Sequence, residues 1–191
     1  RAREDDMINR AFFFDQVRKT LFDGKLKQSQ VEGLTAILDG WEKGFAKKDD
    51  RWLAYMLATA HHETDRTMQP IREYGRGKGR PYGVPDAQTG QTYYGRGYVQ
   101  LTWKDNYATM SKFCGADLVK DADLALRPDN AAIVMFEGMT RGSFTGKKLA
   151  NYFDGATEDW VNARRIINGL DKANAIAAYG KAYYAAISYT T

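Results

Sequence analysis

Apolar residues recur along most of this chain at the three-to-four-residue spacing of helices, and lose that period in the middle. In residues 7–22, Phe13, Val17 and Leu21 stand at i, i+4 and i+8 with Phe14 beside them, which predicts a helix ended by Asp23-Gly24. A second helix starts at Gln28 or Ser29, places Val31, Leu34, Ile37, Leu38 and Trp41 on its apolar side, and frays near Lys43. Asp49 or Asp50 caps a third, RWLAYMLATAHHET, which Pro70 is expected to break. In it Trp52, Met56, Thr59 or Ala60, and Glu63 fall on one stripe, so a carboxylate stands where an apolar face would continue.

The period disappears from Pro70 to Gly97, which holds seven of the 18 glycines and three of the four prolines. A small hairpin or three-stranded sheet is expected there, using 71–74 and 93–99, and five tyrosines in and beside the segment argue for an ordered loop. Helical patterns return after Thr102, after Arg127-Pro128-Asp129-Asn130, over 158–168 and over 173–187, with a short helix near FTGKKLANYF. The expected class is mainly α (α+β), with a small β element.

At 191 residues with 43% apolar content, residues 1–191 are expected to form a single domain. RAREDD is read as non-native or upstream sequence, Met7 as a natural start, and the beginning shows no apolar signal segment. No run approaches the roughly 18 apolar residues of a membrane helix. Cys114 is alone, which suits a reducing compartment. The formal charge is +4, but the stretch from Arg66 to Lys104 carries seven basic and two acidic residues. Either an anionic polymer meets this loop region, or it is simply a solvated loop.

Hydrolysis of a glycosidic bond uses a protonated carboxyl to protonate the leaving oxygen and an ionised one opposite. In an inverting enzyme they stand roughly 6.5–9.5 Å apart, with a water between. Glu63, at a helix end on an apolar stripe, suits the acid, since burial favours the protonated form; an ion pair with Arg66 at i+3 is the plainer alternative. Glu73, among Arg72, Arg76 and Lys78, suits the base, or is a surface partner of those cations. Thr102 could orient the water. Gln100, Asn106 and Asn168 offer amides to sugar hydroxyl and acetamido groups, although Gln100 and Thr102 could be outward strand positions and Asn168 a helix terminator. His62, Arg72 and Tyr94 complete the candidate substrate contacts. No metal or cofactor is expected: HHETD lacks the spacing of a zinc helix, and no glycine-rich stretch ends as a phosphate loop does.

AHHET, YYGRGYVQLTWKDNY and RRIING together resemble glycoside hydrolase family 19, strongly over 58–107 and loosely over 128–184. The opening FFxxVRxxLFxGKLxQSQVxG pattern and FTGKKLxxYF resemble its bacteriophage endolysin branch. The resemblance implies a lysozyme-like, two-lobed helical fold, an inverting mechanism, Glu63 as acid, Thr102 holding the water, and Gln100, Asn106 and Asn168 on substrate. The chain departs from plant members, which carry a longer insertion between the two glutamates and several cysteines. Asp65 and Asp86 therefore rival Glu73 as base, and a shorter, more open cleft is implied.

The function expected is an endolysin cutting peptidoglycan between N-acetylmuramic acid and N-acetylglucosamine. A chitinase, or a secreted antibacterial wall hydrolase, is the alternative. The partner expected is the peptidoglycan glycan strand, met by a monomer without nucleic-acid binding or stable membrane insertion. Such an enzyme would be made in the bacterial cytoplasm without a signal peptide and act on the wall after release.

Overall fold

The computed structural model describes residues 7–188; the expectation for residues 1–6 lies outside them. Three long helices open the chain. Helix α1, Arg10–Leu21, begins where the Asn9 side chain accepts the Phe12 N–H at 3.0 Å, three residues later than the periodicity suggested. It buries Phe13, Val17 and Leu21, the i, i+4, i+8 stripe. Helix α2, Gln28–Gly44, buries Leu34, Ile37, Leu38 and Trp41. Gly33 lies so close to the segment after α3 that a Cβ there would stand 1.8 Å from the Met68 carbonyl oxygen.

Helix α3, Asp50–Glu63, is buried almost all round and packs chiefly against the last helix, α6, Ala173–Ile187. Asp49 caps α3 through the Arg51 N–H and holds the Arg51 guanidinium at 2.6 Å. The helix stops at Glu63, well before Pro70. Thr64 closes it, its hydroxyl donating to the Ala60 carbonyl at 2.7 Å and accepting the Met68 N–H at 3.0 Å. Asp65 and Arg66 then take positive φ and turn the chain. Side-chain capping, with two left-handed residues, ends the helix before the proline can.

The middle of the chain forms one two-residue hairpin, β1 Ile71–Arg72 against β2 Arg96–Gly97, with Ile71 opposite Gly97. Arg96 locks it. Its buried guanidinium binds Asp123 at 2.9 Å and the Thr92 carbonyl at 2.7 Å, and lies 3.9 Å over the Tyr94 ring. Helix α4, Lys104–Cys114, follows. Helix α5, Pro128–Arg141, starts on Pro128 and ends at left-handed Gly142.

The helix expected over 158–168 does not form. A second hairpin, β3 Phe153–Asp154 with β4 Thr157–Glu158, occupies its start, and a short 3₁₀ turn at Asn162–Ile166 the rest. Trp160, Ala163 and Ile166 are still buried, so a turn of tighter pitch meets the same apolar demand. Among the described residues one core cluster runs through all six helices, and the fold is mainly α and lysozyme-like with small β elements. Among the described residues no helix is long and apolar enough to cross a membrane.

Candidate active site

The end of α3 opens on a cleft of about 310 Å³. Glu63, Val99, Gln100, Thr102, Trp103, Asn106, Phe144, Ile167 and Asn168 line it. They come from five separate stretches: the C-terminus of α3, the turn after β2, the start of α4, and the loops before and after the second hairpin. Five of the nine sequence candidates (Glu63, Gln100, Thr102, Asn106 and Asn168) thus share one concavity.

Glu63 is not a partner of Arg66, which turns to Asp23 at 3.1 Å. Nor is its setting simply an apolar stripe. Arg164, almost fully buried, donates from Nη1 to Glu63 Oε1 at 2.8 Å and from Nε to the Asp171 carbonyl at 2.9 Å. The Glu63 side chain keeps 19% of its surface open. One oxygen is fixed by a guanidinium while the carboxylate still reaches the cleft.

The turn after β2 shapes the opposite wall. Gln100 has φ 58 and Trp103 φ 75, and the bridge between Arg96 and Leu101 closes the turn. Gln100 and Thr102 are therefore turn residues, not outward strand positions. Gln100 Nε2 donates to the Ile71 carbonyl at 3.2 Å, tying the wall to β1. Thr102 spends its hydroxyl proton on the Gln100 carbonyl at 2.9 Å, so its lone pairs are what remain for a water or sugar hydroxyl. Asn106 donates from Nδ2 to the Thr102 carbonyl at 2.9 Å, which leaves its carbonyl oxygen as an acceptor. Asn168 Oδ1 accepts the Gly169 N–H at 2.9 Å, which leaves its NH₂ as a donor.

Glu73 does not line this cleft, and its expected cationic cage is absent. Arg72 pairs with Asp123 at 2.9 Å, and Arg76 and Lys78 are exposed. The partner of Glu73 is Tyr82, whose hydroxyl donates to Oε2 at 3.3 Å, while Oε1 is buried without a hydrogen-bond partner. Tyr82 in turn meets the Trp103 ring edge-on at 5.2 Å, so Glu73 reaches the cleft's border through two aromatic rings.

Of its rivals, Asp86 is committed. Lys104 at 2.9 Å, first among its hydrogen bonds, holds its carboxyl down at about 2. Asp65 is exposed, with the Tyr74 hydroxyl at 3.5 Å.

Three further candidates lie outside the cleft. Tyr94 is folded under Arg96 and is no open sugar platform; Arg72 serves Asp123; His62 is half-buried beside Glu63 on a different face of α3. His61 belongs to the core, its Nδ1 2.9 Å from the Tyr183 hydroxyl; burial pushes its pKa down to about 4. Among the described residues no cluster of histidine, cysteine or acidic side chains is arranged to hold a metal ion.

Two residues escaped the sequence reading. Trp103 is half-exposed on the cleft rim, and Arg164 orients Glu63 from 101 positions away. The WKDNY and RRIING motifs contain both, but nothing in the sequence shows which way either side chain turns.

A larger groove of about 810 Å³ lies between α2 and α5, with Phe45, Phe113, Ile133 and Phe136 on its walls. Its carboxylates are committed to Arg10, Arg127 and Arg141, so it offers no acid for chemistry.

A carboxylate, paired amides and an open indole in one polar cleft offer the hydrogen-bonding and stacking groups that a sugar chain can use. A family model described as chitinase class I, of glycoside hydrolase family 19, matches residues 77–146. An endochitinase of Arabidopsis thaliana is 39% identical over 83 residues, 43% of this chain and 29% of that protein. A basic endochitinase of Vitis vinifera is 36% identical over 88 residues, covering 39% of this chain and 28% of that protein. The chain thus spans less than a third of the length of these curated relatives.

In crystal structures, a bacterial family 19 chitinase aligns over 96% of both chains with a TM-score of 0.66 at 21% identity. Chitinase C from Streptomyces griseus aligns over 96% of this chain and 78% of its own, with a TM-score of 0.61 at 23% identity. The chain therefore carries the fold of these family 19 chitinases along its length and matches the family model over residues 77–146.

Proposed function

We propose that this protein hydrolyses the glycosidic bond between N-acetylmuramic acid and N-acetylglucosamine in peptidoglycan, with inversion. Glu63 is the proton donor, Glu73 the base and Thr102 the residue that orients the water. The observation that carries the reading is the pairing of Glu63 with free amide ends in one cleft. Asn168 presents a donor and Asn106 an acceptor, the complement of an acetamido group. The walls are open at Asn168 and Trp103, which suits a strand bearing peptide branches.

Chitin is the second reading, favoured by the chitinases among the similar proteins. Mass spectrometry of digested peptidoglycan, beside a soluble chitooligosaccharide assay, separates the two. A new muramic reducing end, absent with Glu63→Gln, supports the first. Chitooligosaccharide cleavage with intact peptidoglycan overturns it in favour of the second.

A further inference from the structure

The loop that follows Glu73 has a construction the hydrolytic reading does not use. Seven basic residues lie between Arg66 and Lys104, and the fold neutralises four of them. Arg66 meets Asp23 at 3.1 Å. Arg72 and Arg96 share Asp123, each at 2.9 Å, and Lys104 meets Asp86 at 2.9 Å. Arg76, Lys78 and Arg80 remain, all exposed and none in an ion pair among the described residues.

Their backbone is a run of tight turns. Arg76 N–H donates to the Glu73 carbonyl at 3.1 Å, Lys78 N–H to Gly75 at 2.9 Å, Arg80 N–H to Gly77 at 2.9 Å and Gly83 N–H to Arg80 at 3.0 Å. Gly77 and Gly83 then cross in contact: a Cβ at Gly83 would lie 1.8 Å from the Gly77 oxygen. The three cations are thus presented by a closed, glycine-crossed clasp rather than a loose loop. The clasp joins the cleft through Tyr82, which holds Glu73 at 3.3 Å and stacks edge-on against Trp103.

We infer that this clasp is a carboxylate-binding subsite, in which Arg76, Lys78 and Arg80 hold the anionic substituents of a wall glycan while its sugar backbone lies against Trp103. The inference rests on the peptidoglycan reading for its ligand. The carboxylates that supply that chemistry are those of the stem peptides, because the lactyl carboxyl of a muramic sugar bearing a stem is consumed in the amide bond to it. Three exposed cations on a backbone-closed turn, joined to the cleft rim through Tyr82, favour an anionic strand over neutral chitin.

The test measures binding without turnover. Purified sacculi, sacculi whose stem-peptide carboxylates have been converted to amides with a carbodiimide and ammonia, and chitin are each pelleted with the Glu63→Gln protein, with and without Arg76→Gln, Lys78→Gln and Arg80→Gln together. The triple change is expected to weaken binding to whole sacculi about tenfold and to flatten its salt dependence, while chitin binding stays the same. Loss of the difference on amidated sacculi assigns the ligand to the stem-peptide carboxylates; its retention there overturns the inference.

Equal affinity of both proteins for whole sacculi, with circular dichroism showing both folded, overturns the inference. Failure of the hydrolytic reading would show instead as unchanged muropeptide profiles in the digestion assay, whatever the pelleting result.

Discussion

Glu63 and Glu73 are ten residues apart in the chain and opposite in setting. Glu63 ends a helix that is buried almost all round, and its carboxylate is gripped by an arginine from the far end of the sequence. Glu73 sits at the root of a glycine-rich loop, held by one tyrosine hydroxyl with one oxygen unpartnered. One carboxylate is fixed in place by a charge-assisted bond; the other has a single neutral donor and a buried oxygen without a partner. Acid catalysis needs a fixed aim at the bridging oxygen, while water activation needs a free acceptor. The proposed roles give the donor's task to the first setting and the base's to the second.

Replacing each glutamate tests that division. Glu63→Gln should lower kcat on wall glycan by about 10³-fold with an unchanged far-ultraviolet spectrum. Glu73→Gln should cost about 10²-fold, with Tyr82→Phe following it in direction but not in size. Reversal of that order would mean that the acid and base assignments are exchanged.

The helical side should also show in pH dependence. His61 has a folded pKa depressed to about 4 by burial, below the ordinary value near 6.5. The unfolded chain binds the extra proton first, so the stability tied to neutral His61 is full above pH 6.5 and is lost as pH falls towards 4. The loss should approach about 3 kcal/mol in urea unfolding between pH 7.5 and 4, and should shrink in His61→Gln.

Arg164→Met removes the partner of a carboxylate that is partly open to water, so it should destabilise by about 2 kcal/mol, less than for a fully buried pair. Arg72→Gln should cost under about 1 kcal/mol, because its pair with Asp123 is solvated on both sides and Arg96 keeps Asp123 engaged. A large loss of substrate affinity in Arg72→Gln would restore it as a contact.

Helices α1 and α2 were legible because each buries one face at regular spacing. Phe13, Val17 and Leu21 declare α1 before any coordinate is known. The same logic overcalled 158–168, since a hairpin and a 3₁₀ turn can bury Trp160, Ala163 and Ile166 just as well. In the cleft, the YYGRGYVQLTWKDNY stretch pointed to Gln100, Thr102 and Asn106.

What stayed hidden was long-range pairing. The neighbours of Glu73 in sequence suggested a cationic cage, but Asp123, 51 positions beyond Arg72, draws that arginine away. Arg164 was invisible for the same reason, and Trp103 because its exposure follows from a left-handed backbone that composition does not announce.

The central claim is that Glu63 protonates the leaving oxygen. Its most direct test compares Glu63→Gln with the parent on two substrates, an oligosaccharide and a dinitrophenyl glycoside whose leaving group departs without a proton. The account predicts a kcat loss of about 10³-fold on the first and less than about tenfold on the second. Equal losses on both would contradict it.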